Sequence, residues 1–313
     1  MTKWTRRGIL KAGLAASATA ASSVGAFALA AECSPAADSV SGRNTDQLES
    51  MIQNTPSCRE RISLDADWRF HFGHATDPAK DFGYGAAARE LTFAKCGDFP
   101  DACQLDFKDA EWRTVDLPHD WAVELPIRNA PELPAHGGRP LGRDYPETSI
   151  GWYRRVFNLE QADSGKRIAV EFDGVFRDAI FVFNGFYLGR NFSGYAPVRF
   201  DLTDLVNFGG KNVLVVRADA TLGEGWYYEG AGIYRHVWLT KTAPVHVAQW
   251  GTFVRSEVQA NHATLTVVSE IQNDSAIESS CAVHFEAIDS AGRVVAAAIS
   301  RPQKVGAGES KVS

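Results

Sequence analysis

Short alternations of apolar and polar residues, most of them five to seven residues long, dominate this chain, and helix-period stretches are few. Arg167-Ile168-Ala169-Val170-Glu171-Phe172 alternates as a half-buried strand does. Ala179-Ile180-Phe181-Val182-Phe183 is apolar throughout, which predicts a strand covered on both faces. Asn184-Gly185 follows as a tight hairpin turn, and Phe186-Tyr187-Leu188-Gly189 returns. Further strands are expected over Ile62–Phe72, Trp112–Leu117, Gly151–Phe157, Pro197–Leu202 and Asn212–Arg217, with one helical turn over Leu202–Val206. At least eight strands in about 180 residues predict an all-β chain built on a jelly-roll β-sandwich.

The stretch 226–239, Trp-Tyr-Tyr-Glu-Gly-Ala-Gly-Ile-Tyr-Arg-His-Val-Trp-Leu, organises this unit. Gly230 and Gly232 predict a tight backbone excursion, and alternation from Ile233 to Leu239 predicts a strand after it. Two stretches lack any period. Residues 73–110 read as an insertion, and the proline-rich residues 122–149 as a long loop, functional or disordered.

Thr242-Ala243-Pro244 marks a boundary. Four shorter strands are expected beyond it, at Val245–Val254, Ala263–Ile271, Cys281–Ile288 and Arg293–Ala298. Their spacing predicts an immunoglobulin-like sandwich. With only about 70 residues against the usual 100 or so, that sandwich is expected to be incomplete. The organisation is therefore a leader over 1–30, a flexible lead over 31–60, a jelly roll over 61–242 and a partial immunoglobulin-like domain over 243–313.

Charge narrows the partners. The net charge is −6, and residues 1–30 carry four basic side chains and no acid, so the chain without them stands at −10. No basic stripe remains for phosphates, which excludes nucleic-acid binding as an expectation. Thr5-Arg6-Arg7-Gly8-Ile9-Leu10-Lys11, followed by a small, mildly apolar stretch to Ala31, resembles a twin-arginine export signal with a periplasmic or secreted destination. That stretch is too rich in Ala and Ser for a stable membrane anchor. An oxidising compartment would permit a Cys96–Cys103 disulfide, with two free thiols as the equal alternative. Neither a metal site nor a cofactor is expected, and no pair of Cys-x-x-Cys motifs is present.

The order of motifs carries more. Val115-Asp116-Leu117-Pro118-His119-Asp120-Trp121, Gly151-Trp152-Tyr153-Arg154-Arg155, Asn184-Gly185 with Leu188-Gly189, Gly194-Tyr195-Ala196-Pro197 with Asp201-Leu202-Thr203, and the stretch 226–239 together resemble glycoside hydrolase family 2, in particular its β-galactosidase-like members. The resemblance covers about residues 61–241, and the tail from Val245 with Trp250-Gly251-Thr252 looks like the start of the family's second domain. It implies a sugar-binding jelly roll, then a sandwich, then a catalytic (β/α)₈ barrel with two glutamates in a retaining mechanism. No catalytic residue is assigned in this chain, and the chain alone is expected to be inactive.

In relatives the jelly roll lends residues to the rim of the sugar pocket. The matching positions are Asp120 and Asp219, with Glu224 weaker and Trp226 as a ring that would stack on a sugar face. Relatives usually carry Asp-Asn where this chain has Asp219-Ala220. A loop-capping role for either aspartate is an equal alternative, and core packing is the ordinary role of Trp226. His119 reads as a packed, hydrogen-bonded residue. The expected partner is a β-galactoside or related carbohydrate, and the oligomeric state stays open, a homo-oligomer included. Two further readings compete with the hydrolase: a stand-alone carbohydrate-binding module, and a non-catalytic structural protein that reuses the sandwich.

Overall fold

The computed structural model describes residues 59–85, 100–128, 137–223, 225, 228–260 and 262–313. The chain divides into two compact units, one spanning Arg61–Lys241 and the other containing Thr242–Ser313. Among the described residues all regular structure is strand, apart from four single 3₁₀ turns.

The first unit is a sandwich of two antiparallel sheets. One has the order β1 (Arg59–Ser63), β10 (Val237–Thr242), β5 (Arg167–Phe172), β8 (Val198–Asp201). The other has the order β3 (Arg113–Val115), β2 (Trp68–Phe72), β4 (Ile150–Asn158), β9 (Lys211–Asp219), β6 (Ala179–Phe183), β7 (Phe186–Asn191). The inner faces meet in a core that includes Trp68, Phe70, Trp121, Tyr153, Phe172 and Phe181. Burying a side chain such as Phe181 contributes about 1.5–3 kcal/mol. The Asn184-Gly185 turn joins β6 to β7 with Asn184 at φ 49° and Gly185 at φ 82°, the twist a two-residue hairpin needs.

Three expectations are corrected. The single strand expected over Ile62–Phe72 is two strands, β1 and β2, in opposite sheets. The chain turns at Asp65-Ala66-Asp67, with Asp67 at φ 60° and its amide donating to Asp116 Oδ1 at 2.9 Å. The strand expected from Ile233 begins only at Val237. Residues 230–236 are instead held by a bridge between Gly232 and Phe176 and by loop hydrogen bonds, including Trp121 N donating to Ala231 O and His119 N donating to Ile233 O. The described parts of the supposed insertion at 73–110 form a packed cover. Phe82, Tyr84, Ala102, Cys103, Phe107 and Trp112 lie on Trp152, Val182, Val213 and Val215, on the outer face of the six-stranded sheet. This cover is why β6 and β9 are apolar on both faces. Cys103 is a buried free thiol, pushed up to about 12 by burial, while Cys96 lies outside the described residues.

Among its described residues from Thr242 on, the second unit holds seven strands rather than four. A three-stranded sheet has the order β11 (Val245–Val258), β12 (Ala263–Asn273), β17 (Ser310–Val312). Two two-stranded sheets pair β13 (Ser279–Cys281) with β16 (Gln303–Val305) and β14 (His284–Ile288) with β15 (Val294–Ile299). The predicted strand over Cys281–Ile288 is broken between β13 and β14. Ile271, Cys281, Val283 and Val305 form its small core. The arrangement resembles a partial immunoglobulin-like domain, with no closed barrel among the described residues.

Candidate functional site

One end of the jelly roll holds two of the sequence-predicted carboxylates, Asp120 and Asp219. Asp120 is the N-cap of a 3₁₀ turn over Trp121–Glu124, with Oδ1 accepting from Ala122 N at 2.9 Å. The same oxygen accepts from Ala231 N at 2.8 Å, and Oδ2 accepts from Tyr228 Oη at 2.8 Å. Asp120 therefore caps its own loop and pins the 228–231 loop. Among the described residues its Oδ2 has a single donor, which leaves lone-pair capacity for another hydroxyl.

Asp219 ends β9. Its Oδ1 accepts from Thr221 N at 2.9 Å and Thr221 Oγ1 at 2.6 Å, which builds the turn after the strand. Its Oδ2 lies 3.4 Å from Arg217 Nη1. The two aspartates share one end of the fold because both loops rest on the segment before β4. Trp121 Nε1 donates to Thr148 O, and Ala220 N donates to Ser149 O. Glu224 and Trp226 lie outside the described residues.

The structure adds residues that sequence reasoning did not single out. Tyr228 is 47% exposed, and its phenol is pushed up by burial and then by the Asp120 carboxylate it donates to. It stays a neutral donor at any physiological pH. Glu229 is buried and accepts from Gly225 N at 2.7 Å. Behind Asp120, Arg113, His119, Glu124 and Tyr153 form a connected network. Arg113 Nη2 lies 2.8 Å from His119 Nε2, and His119 Nδ1 lies 2.7 Å from Tyr153 Oη. An arginine can only donate, so Nε2 accepts and the ring proton sits on Nδ1, donating to Tyr153. Glu124 Oε1 stands 3.2 Å from Nε2, and its Oε2 takes Arg113 Nη1 at 2.7 Å. In the sequence, His119 reads as a packed, hydrogen-bonded residue and Tyr153 belongs to the Gly151–Arg155 motif, but nothing local joins either of them to Arg113 or Glu124. The His119 partners Arg113 and Tyr153 come from other strands.

Two predictions arise here. Asp120→Ala removes an N-cap and leaves Ala231 N without its acceptor, which is expected to cost about 2–3 kcal/mol. Asp120→Asn keeps an acceptor oxygen and is expected to cost about 1 kcal/mol less. Urea denaturation of both variants checks this, and equal losses would contradict it.

The second prediction concerns pH. Burial pulls His119 below its ordinary value, with the nearby Arg113 charge acting the same way and Glu124 opposing. Burial lowers His246 likewise. A depressed histidine contributes stability that is present above the unfolded value near 6.5 and lost as pH falls below it. Melting temperature is therefore expected to drop from pH 7 to pH 5. In His119→Asn, which keeps a donor toward Tyr153, part of that slope should vanish. An unchanged slope would reject the assignment.

Among the described residues no group of three His, Cys, Asp or Glu side chains is arranged to hold a metal ion, and no helix is long and apolar enough to cross a membrane.

Residues 62–244, more than half of the chain, match the family described as glycosyl hydrolases family 2, sugar binding domain. The chain belongs to glycosyl hydrolase family 2. The family 2 relatives include the β-galactosidase BoGH2A of Bacteroides ovatus, 37% identical over 242 residues that make up 77% of this chain and 25% of the relative. A β-glucuronidase of Formosa agariphila is 31% identical over 62% of this chain and 22% of its own length. Among solved structures, a family 2 member from Bacteroides cellulosilyticus superposes with a TM-score of 0.62 at 29% identity, covering 81% of this chain and 30% of that one. The chain thus spans about a quarter of the length of the curated relatives it matches. The described part of this family 2 chain is the non-catalytic sugar-binding module with the partial sandwich that follows it.

Proposed function

We propose that this chain is the leading portion of an exported, β-galactosidase-like glycoside hydrolase that removes terminal β-glycosides. The observation that carries the reading is the family 2 sugar-binding match over 62–244, coupled to two aspartates held at one end of that module. Asp120 and Asp219 contribute sugar-hydroxyl acceptors at the rim of a pocket, and charge-assisted hydrogen bonds to a carboxylate are the strong kind. Glu224 and Trp226, which lie outside the described residues, join this reading on the family resemblance alone. The retaining chemistry, with one carboxyl as acid and one as nucleophile about 5–5.5 Å apart, falls to a catalytic barrel outside this module. The resemblance of Arg6-Arg7 and the stretch after it to a twin-arginine signal supports the exported part of this reading.

The test is the native product in the source cell, detected in the periplasm with antibody against the jelly roll. A band far above 34.1 kDa that co-purifies with β-galactosidase activity is the expected result. A band slightly below that mass, free of activity, would replace the hydrolase with a stand-alone carbohydrate-binding module. The purified 313-residue chain is expected to release no chromophore from nitrophenyl β-galactoside.

A further inference from the structure

The outer face of the six-stranded sheet ends, at edge strand β7, in a group of exposed rings that the rim site does not use. Tyr187, Phe192 and Tyr195 are 38%, 62% and 47% exposed. In register, Tyr187 pairs with Val182 and Arg190 with Ile180, so both side chains stand on the outer face with Val182. Isolated exposed apolar residues are ordinary. What sets these apart is how rigidly they are held.

The loop 191–197 is locked by its own side chains. Asn191 Nδ2 donates to Ala196 O, and Asn191 Oδ1 accepts from Ser193 N. Ser193 Oγ accepts from both Tyr195 N and Ala196 N. Tyr234 Oη fastens the tip by donating to Gly194 O at 2.8 Å, and the Tyr195 ring sits edge-on to Phe176 at 5.7 Å. Arg190 is clamped by Asp178, with Nε to Oδ1 at 2.5 Å and Nη2 to Oδ2 at 2.7 Å. Its guanidinium then lies 4.5 Å over the Phe192 ring. Nη1 is left as a donor with no hydrogen bond among the described residues. A rigid presentation of this kind cuts the ordering cost of binding.

The group is tied to the rim strand by one backbone hydrogen bond. Asp219 N donates to Arg177 O at 2.8 Å, one residue before the Asp178 that clamps Arg190. Asp219 and the Asp178–Arg190 clamp are thus linked through the backbone of residues 177–178.

We propose that Tyr187, Arg190, Phe192 and Tyr195 form a second saccharide-binding surface, which takes the chain of a neutral β-linked oligosaccharide beyond its terminal sugar. The proposal rests on the carbohydrate reading above and adds a place for sugar units away from the rim. Rings alternate here with fixed polar groups, as C–H faces alternate with hydroxyls along a sugar chain. A protein interface centre would instead need contiguous apolar area stripped of charge, and Arg190 with Asp178 interrupts any such patch.

The experiment uses the full chain and a Phe192→Ala/Tyr195→Ala variant. Both rings are about half exposed or more, so the variant should keep its fold and melt within a few degrees of the parent, which thermal melts check first. Affinity electrophoresis through gels containing β-1,4-galactan reads the surface, and saturation-transfer NMR with methyl β-galactoside reads the rim. Expected is retardation by the polymer that is at least about tenfold weaker in the variant, with the monosaccharide signal unchanged. Equal retardation of parent and variant, or monosaccharide binding without any polymer binding, would sink the surface while leaving the rim reading intact. Polymer binding through the rings without a monosaccharide signal would support the surface and remove the rim. Absence of both signals would reject both. A change of oligomeric state in the variant, seen by size-exclusion chromatography with light scattering, would make the rings a contact between copies and overturn the proposal.

Discussion

Gly232→Ala is expected to lose roughly 4 kcal/mol of stability and to melt about 8–16 °C below the parent. Gly232 sits at φ +110°, a region L-residues rarely enter, and this alone costs about 1–3 kcal/mol. A Cβ there would stand 2.3 Å from Tyr153 Oη, 2.8 Å from His119 O and 2.9 Å from the Trp121 ring. None of these can yield cheaply. Tyr153 and Trp121 are fully buried, and His119 O belongs to backbone tied to Ile233. The residue must also stay in place, because its amide and carbonyl both bond Phe176 in the bridge that closes this end of the sandwich. Displacing it would loosen Ala231 from Asp120 and hence the rim itself. Gly165→Ala separates the two causes. Gly165 has φ +92° with nothing within 4 Å, so that variant should show only the backbone cost of about 1–3 kcal/mol. Thermal melts of the two variants side by side check the claim, and equal losses would mean that crowding at Gly232 is unimportant.

Much of the jelly roll is legible in the sequence for a local reason. Strands such as β5, β6 and β9 announce themselves because each residue's face depends only on its position in an alternation. The Asn184-Gly185 turn is legible because its backbone chemistry is local too. The break between β1 and β2 was missed because Leu64 and Trp68, four apart, both look like members of one apolar run. Only the pairing with different sheets separates them. The cover over 73–112 was missed because irregular backbone carries no period, and its rings find their partners through the tertiary fold. At the site, Asp120 and Asp219 were marked by motif. That Tyr228 and Ala231 both bond Asp120 was not legible, since those contacts span 108 and 111 residues. The same distance effect hid the Arg113–His119–Tyr153 network, whose members come from separate strands and a loop.

Asp81→Ala, in the cover, is expected to cost about 3–5 kcal/mol and to lower the melting temperature by about 6–20 °C. Asp81 and Arg217 are 2% and 6% exposed, and Asp81 Oδ2 accepts from Arg217 Nε at 2.9 Å and lies 2.8 Å from Nη2. Oδ1 accepts from Trp152 Nε1 at 2.7 Å and from His74 N. Burial pushes the Asp81 carboxyl up, against the Arg217 charge and the Trp152 hydrogen bond that pull it down. A raised carboxyl contributes stability below its unfolded value near 3.9 and loses it as pH rises, so the Asp81 charge is costly at neutral pH when considered by itself. What it does is neutralise Arg217, and removing it strands a buried guanidinium. The loss should therefore be recovered in large part by Asp81→Ala/Arg217→Met, where neither charge remains. A double-mutant cycle by urea denaturation tests this, and additive losses would refute the pairing argument. The consequence reaches the rim, because Arg217 Nη1 already lies 3.4 Å from Asp219 Oδ2. Freed of Asp81, the guanidinium keeps Asp219 as its ion-pair partner among the described residues. Asp81→Ala alone is thus expected to weaken the monosaccharide signal by drawing Asp219 into an ion pair, whereas the double variant should restore it.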